Sequence, residues 1–114
     1  MTTIDLALEN RLEAGWTVVD VTGEIDLHTA PTFRERVYEL IDQGTTRILL
    51  NLSSLDFMDS TGLGVMIGSL KRLKERDGTL ALAAPQHSVR RVLEVTGLTK
   101  IFPVYDTLEE AIGA

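Results

Sequence analysis

Apolar residues recur along the chain at two spacings, one typical of strands and one typical of helices. Short apolar or β-branched runs predict five strands, at residues 4–8, 16–21, 47–52, 79–84 and 101–105. Apolar residues three and four positions apart predict four helices, which begin near Thr29, at Asp59 or Ser60, near Ser88 and after Thr107. The polar segments 9–15 and 53–56 are predicted to be a turn and a loop.

The order of these elements is β-β-α-β-α-β-α-β-α, an opening hairpin followed by alternating helices and strands. This alternation predicts an α/β fold, with a mixed, mostly parallel β-sheet and helices packed against it. Segment 47–52 is almost continuously apolar, which is typical of a central strand buried on both faces. The length of 114 residues suits one core, so we expect a single domain over residues 1–114.

Composition and charge exclude several classes of function. The chain has no cysteine, so a disulfide scaffold, a thiol nucleophile and a cysteine-rich zinc site are excluded. The two histidines alone cannot form a metal cluster, and the formal net charge of -6 argues against binding to nucleic acid. No apolar run reaches the roughly 18 residues of a membrane span, and the first residues do not resemble a signal peptide. We expect a cytoplasmic protein that binds another protein, with no metal, cofactor or membrane.

The segment that carries most candidate chemistry is 56–64, between a buried strand and an amphipathic helix. Open α/β sheets place their binding sites at this end of a strand. A hydrolase nucleophile elbow needs glycine two positions before Ser60, where Met58 stands. A dinucleotide fingerprint needs glycine three positions after Gly64, where Ile67 stands, and no phosphate-binding P-loop motif occurs. Catalysis by this chain is therefore not expected.

Ser60 has a second possible use, as a site of modification. At the start of a helix its hydroxyl lies beside free backbone N–H groups and the positive end of the helix dipole, where a phosphate is tolerated. A phosphate would add about -1.5 to -2 charges and change the surface without unfolding the domain. A simple helix cap at Asp59 or Ser60 explains the same residues, and Thr61 is a second possible acceptor.

Two glycines in the predicted helix need an explanation. Gly64 and Gly68 each cost about 1 kcal/mol relative to alanine in a helix interior. Close approach of a partner and close packing inside the fold explain them equally well. Val65 is expected on the side of the helix opposite the apolar stripe, which favours a partner surface there.

A second candidate segment is Gly-Glu-Ile-Asp at residues 23–26, between a strand and a helix. At that sheet end the carboxylate of Asp26 would lie near Asp59 and Ser60. A solvated loop acid is the alternative interpretation of Asp26.

Three motifs together resemble those of the anti-sigma factor antagonists, which are single STAS domains of bacterial regulatory pathways. They are residues 51–65 (NLSSLDFMDSTGLGV), residues 23–26 (GEID) and residues 92–98 (VLEVTGL), and the resemblance covers essentially the whole chain. In that family the unphosphorylated antagonist binds an anti-sigma factor that is itself a serine kinase, and a sigma factor is displaced. Phosphorylation of the motif serine ends the binding, and a phosphatase restores it.

The resemblance implies that this chain is a substrate and a binding protein rather than an enzyme. It implies that Ser60 is the phosphoacceptor and that the partners are an anti-sigma factor serine kinase and a serine phosphatase. The residues expected at the partner surface are Asp26, Met58, Asp59, Thr61, Gly62, Leu63, Gly64, Val65 and Gly68. Two alternatives remain: a STAS scaffold or sensor that is not phosphorylated, and a module that binds a small ligand or nucleotide at the same sheet end.

Overall fold

The computed structural model describes residues 5–114, which form five strands and four α-helices. The strands are β1 (Leu6–Glu13), β2 (Trp16–Ile25), β3 (Arg47–Met58), β4 (Thr79–Ala83) and β5 (Val104–Tyr105). The helices are α1 (Ala30–Asp42), α2 (Ser60–Lys74), α3 (His87–Val95) and α4 (Leu108–Ile112), with a 3-10 turn at Leu98–Lys100. The predicted order of strands and α-helices is confirmed.

The strands form one sheet in chain order, from β1 to β5. β1 pairs with β2 antiparallel, and the remaining neighbours pair parallel. The predicted mixed, mostly parallel sheet is therefore confirmed. Because β2 to β5 run in one direction, their carboxyl ends meet at one side of the sheet, which we call the carboxyl edge.

Helices cover both faces of the sheet. Helices α1, α2 and α3 pack on one face and share the main hydrophobic core with it. The short helix α4 packs on the other face, over a smaller core around Trp16 and Leu49. In residues 5–114 no helix is long and apolar enough to cross a membrane. The central strand β3 is buried on both faces where it crosses the two cores, as its apolar run predicts.

Two polar segments that the sequence predicts outside the sheet are strand. β1 extends to Glu13, so only Ala14 and Gly15 form the hairpin turn, with φ of 51° and 85°. As an edge strand β1 is paired on one side only, and its polar side chains face solvent. β3 runs through residues 53–56 because the end of β2 pairs with it there. The predicted strand start at residue 4 lies outside the described residues, and β5 is shorter than predicted.

The predicted helix caps are only partly correct. Thr107 caps α4, since its hydroxyl accepts a hydrogen bond of 3.1 Å from the Glu110 backbone N–H. Ser88 does not cap α3, which begins one residue earlier at His87. Its hydroxyl instead donates to the Asp56 carbonyl at 3.3 Å and so links α3 to the extended part of β3.

Candidate functional site

Strands β2 and β3 end together at the carboxyl edge. Ile25 lies opposite Met58 in the parallel register, and the backbone N–H of Asp59 donates to the Ile25 carbonyl at 3.1 Å. The next residues, Asp26 and Asp59, therefore leave the sheet side by side and lead into α1 and α2. This is the arrangement that the sequence predicts for these two acids.

Asp59 is the cap of α2, and Ser60 is its first residue. The Asp59 carboxylate accepts a hydrogen bond of 2.9 Å from the Thr61 backbone N–H and another from the Thr61 hydroxyl. Ser60 is exposed, and its hydroxyl makes no hydrogen bond within residues 5–114. Of the two hydroxyls, that of Thr61 is thus engaged in the cap, whereas that of Ser60 is free to react.

Asp26 organises the loop between β2 and α1. Its carboxylate accepts hydrogen bonds from the backbone N–H groups of Thr29, at 3.1 Å, and His28, at 2.9 Å. These bonds, that of Thr29 above all, hold the pKa of Asp26 below its ordinary value, against the opposing effect of desolvation. Asp26 is therefore ionised at neutral pH and fixed in place, and it adds a negative charge at the edge where α2 begins.

Thr29 does not cap α1 with its side chain, contrary to the prediction. Its hydroxyl donates to the Glu24 carbonyl at 2.8 Å and accepts from the backbone N–H of Asp26 at 2.9 Å. These bonds tie the end of β2 to the start of α1, so the loop that carries Asp26 is held at both ends. Among residues 5–114 no group of three or more His, Cys, Asp or Glu is placed to hold a metal ion.

Four residues expected at the partner surface lie in the protein interior: Met58, Gly62, Leu63 and Val65. The placement predicted for Val65 is wrong, because α1 packs beside α2 and leaves Val65 only 8% exposed in the main core. A Cβ atom at Gly62 would lie 2.6 Å from the Met58 side chain, so this glycine permits close packing. We no longer expect Met58, Gly62 and Leu63 to contact a partner through their side chains, whereas Val65 still borders an open groove between α1 and α2.

The two glycines for which the sequence left two explanations, Gly64 and Gly68, have different surroundings in the structure. At Gly68 a Cβ atom would lie 2.5 Å from the Tyr38 hydroxyl, so this glycine allows α1 to pack against α2. At Gly64 a Cβ atom would have nothing within 4 Å, and the residue is exposed. Gly64 follows Ser60 by four positions and shares its helix face. Internal packing therefore explains Gly68 and does not explain Gly64.

Comparison with protein families decides which family the chain is part of. The model of the STAS domain matches residues 7–111. The chain belongs to the STAS domain family. It is 36% identical over 110 residues to the anti-sigma F factor antagonist of Paenibacillus polymyxa, an alignment that covers 96% of this chain and 94% of that relative.

Solved structures of anti-sigma factor antagonists share the fold of this STAS domain. A crystal structure from Mycobacterium paratuberculosis superimposes with a TM-score of 0.88 at 29% identity, over 99% of this chain and 97% of that one. SpoIIAA in its unphosphorylated form gives a TM-score of 0.80 at 31% identity, over 93% of each chain. The Bacillus protein SpoIIAA in its phosphorylated form gives 0.73 at 31% identity, over 94% of this chain and 97% of that one.

The sequence analysis missed an open groove between the first turns of α1 and α2 of the STAS domain. This α1–α2 groove has a volume of about 340 Å³, and its lining includes Leu27, Pro31, Arg34, Tyr38, Thr61 and Gly64. Leu27 is 71% exposed. Phe57, two residues before Asp59, is 46% exposed. The sequence does contain a signal for Leu27. It is a large apolar residue between Asp26 and His28, in a loop, where no helical or strand periodicity assigns it to the core.

Proposed function

We propose that this STAS domain is an anti-sigma factor antagonist whose binding is controlled by phosphorylation of Ser60. The observation that carries the proposal is the exposed, free hydroxyl of Ser60 at the first position of α2. Its neighbour Thr61 is engaged by Asp59 and is the poorer acceptor. The names of the relatives support the class of function, and the two forms of SpoIIAA support a fold compatible with phosphorylation.

In the proposed cycle the unphosphorylated domain binds an anti-sigma factor serine kinase in the cytoplasm, and a sigma factor is released. The Ser60 oxygen then attacks the γ-phosphorus of an ATP held by the kinase, ADP leaves, and a base of the kinase takes the hydroxyl proton. A serine phosphatase later hydrolyses the phosphoester and restores the hydroxyl. In this scheme the domain supplies the acceptor and the binding surface, and other proteins supply the catalysis.

Electrostatics gives a physical reason for the loss of binding. The phosphate brings about -1.5 to -2 charges to an edge that already holds Asp26 and Asp59. The dipole of α2 favours an anion at its start by about 0.3–1 kcal/mol, so the fold tolerates the modification. A partner carboxylate about 6 Å away would be repelled by roughly 3 kcal/mol per pair of unit charges at an effective dielectric of about 20. That is a change in affinity of about a hundredfold.

The acceptor is tested by mixing the protein with Mg-ATP and the anti-sigma factor kinase from the same genome. Intact-mass spectrometry with site mapping is expected to find one phosphate, on Ser60. Ser60→Ala is expected to remain unmodified, and the matched control Thr61→Val, which keeps the Ser60 hydroxyl, is expected still to take up one phosphate when the reaction is complete. A phosphate on Thr61 in the wild type would contradict the assignment.

Titration calorimetry with the same kinase tests the switch. We expect Ser60→Ala to bind like the unphosphorylated wild type and Ser60→Asp to bind more weakly, with full phosphorylation costing about a hundredfold in affinity. Equal affinity of wild type and both variants would contradict control by phosphorylation. It would favour a STAS scaffold that binds without a switch.

A further inference from the structure

The α1–α2 groove opens beside the proposed phosphoacceptor. Ser60 and Gly64 lie one turn apart on the same face of α2, and Gly64 lines the groove. Because Gly64 has no side chain and nothing near its Cβ position, a partner backbone can approach closely there. A partner that covers Ser60 therefore reaches the groove as well.

The α1 side of the groove combines apolar residues with one charged residue. Its apolar part holds Leu27, which precedes α1 and is 71% exposed, together with Pro31 in the first turn of α1. Large apolar side chains that remain this exposed next to a concave surface are typical of sites that bind another protein. This apolar part of the groove favours an apolar side chain as the occupant.

Arg34 is the one charged residue that lines the groove in the described part of the chain. It is exposed, and its guanidinium makes no ion pair with any residue in 5–114. The neighbouring cation Arg72 differs, because it stacks on the Tyr38 ring at 4.2 Å and lies 3.9 Å from the Asp42 carboxylate. An exposed arginine without an ion-pair partner in the described residues favours a carboxylate as the group that it binds.

We propose that the α1–α2 groove docks a segment of the anti-sigma factor that carries an apolar side chain next to a carboxylate. The apolar side chain packs on Leu27 and Pro31, and the carboxylate pairs with Arg34. This inference rests on the proposed function and names the chemistry of the partner segment. The chain has a net charge of -6 and two acids at the adjacent edge, so an acidic segment is attracted specifically at Arg34 and repelled elsewhere along this edge.

This pairing also explains why a phosphate at Ser60 would act on binding. The phosphate would stand on the helix face that leads into the groove, beside the carboxylate that Arg34 attracts. The partner carboxylate would then face an anion as well as the guanidinium, and the phosphate would compete for Arg34. The same partner carboxylate would thus strengthen binding before phosphorylation and be repelled by the phosphate after it.

Charge reversal in the intact domain tests the proposal. Arg34→Glu is expected to weaken binding to the anti-sigma factor kinase at least tenfold, which corresponds to about 1.4 kcal/mol. The matched control is Arg91→Glu on α3, which makes the same change of net charge at an exposed residue outside the groove. This control is expected to stay within about twofold of wild type. Leu27→Ser, a second variant at an exposed residue, is also expected to weaken binding, and thermal unfolding verifies that all three variants are folded.

The possible outcomes separate this inference from the proposed function. If wild type binds and is phosphorylated on Ser60 but both groove variants bind like wild type, the groove proposal is wrong and the proposed function stands. If wild type does not bind the kinase, both fail. Restored binding of Arg34→Glu by an acidic-to-lysine variant of the kinase would establish the pairing directly. A change in self-association of the chain alone on Arg34→Glu, seen by sedimentation, would assign the groove to a second copy and overturn the proposal.

Discussion

The two halves of α2 have contrasting surroundings. The first half, residues 60–64, exposes the free hydroxyl of Ser60 and places the bare backbone of Gly64 at the α1–α2 groove. The second half, residues 68–74, is packed against α1: Gly68 lies against the Tyr38 hydroxyl, and Arg72 stacks on the Tyr38 ring. One helix is therefore open at its start and closely packed towards its end.

This contrast shows how a small domain can offer a binding surface without losing rigidity. The site needs exposed groups, which contribute little packing energy of their own. The second half of α2 supplies that energy through the fully buried Leu73 and the contacts with α1, so Ser60 sits on an element that is held firmly. Substitutions at the exposed residues of the first half, Ser60 and Gly64, should therefore alter binding, and those in the second half should alter stability.

The largest expected effects come from placing leucine at each of the two glycines. Gly64→Leu should fill the groove and weaken binding to the kinase at least tenfold, with stability unchanged or higher by up to about 1 kcal/mol from helix propensity. Gly68→Leu should overpack the contact with Tyr38 and lower the free energy of unfolding by about 1–3 kcal/mol, with the affinity of the folded protein retained. Denaturant unfolding and calorimetry measure the two quantities.

Each glycine variant is the control for the other, since both add the same side chain to the same helix. Reduced stability with normal affinity in Gly64→Leu would show that this glycine serves internal packing. Reduced affinity with normal stability in Gly68→Leu would place the partner surface further along α2. Either result would remove the distinction between the two halves.

The sequence predicted elements correctly where a local residue pattern determines them, and it failed where a distant segment of the chain determines them. Helical spacing and the acid before Ser60 placed the start of α2 correctly. The polar segment 53–56 looked like a loop because nothing local shows that the end of β2, some 30 residues earlier, pairs with it. Pairing with an extended neighbour overrides a polar pattern, since a strand needs backbone partners more than apolar side chains.

The candidate site divides in the same way. The motifs predicted which residues lie at the carboxyl edge, and Asp26 and Asp59 do leave the sheet together. The motifs did not show that α1 would bury Val65, or that Tyr38 would give Gly68 a packing role. Both facts depend on how two helices lie against each other, which a single amphipathic stripe does not determine.

A smaller effect should follow from removing the cap of the open half of α2. Asp59→Ala loses the hydrogen bonds to Thr61 and should cost about 0.5–2 kcal/mol of stability. Asp59→Asn keeps a capping oxygen and should retain most of that stability. A change in the kinase affinity of this variant would therefore measure the effect of the lost charge. Thermal unfolding and calorimetry measure both variants.

The matched control for Asp59 is Thr107→Ala, which removes the cap of α4 on the opposite face of the sheet. It should lower stability by a comparable amount and leave kinase affinity unchanged. Equal affinity in all three cap variants would show that the charge of Asp59 plays no part in binding.

The smallest expected effect is on stability at acid pH. It comes from Asp26, in the loop beside the first half of α2. Hydrogen bonds from the Thr29 and His28 backbone hold the pKa of Asp26 below its ordinary value. A carboxyl group with a lowered folded pKa adds stability above its unfolded pKa, and this is lost as the pH falls through the folded value. Asp26→Asn does not titrate, so the free energy of unfolding should fall less steeply with acid below about pH 4 than in wild type.

Asp20 is the control for this dependence of the free energy of unfolding on acid pH. Its pKa is lowered by the side-chain hydrogen bond from Arg11, with a smaller contribution from Asn51, in a part of the sheet remote from Ser60. Asp20→Asn should therefore flatten the same region of the curve while leaving kinase affinity unchanged, whereas Asp26→Asn should change both. Denaturant unfolding at a series of pH values gives the slopes. An unchanged slope in Asp26→Asn would mean that its hydrogen bonds do not stabilise the loop, and that Asp26 is a solvated acid with no part in fixing the edge around Ser60.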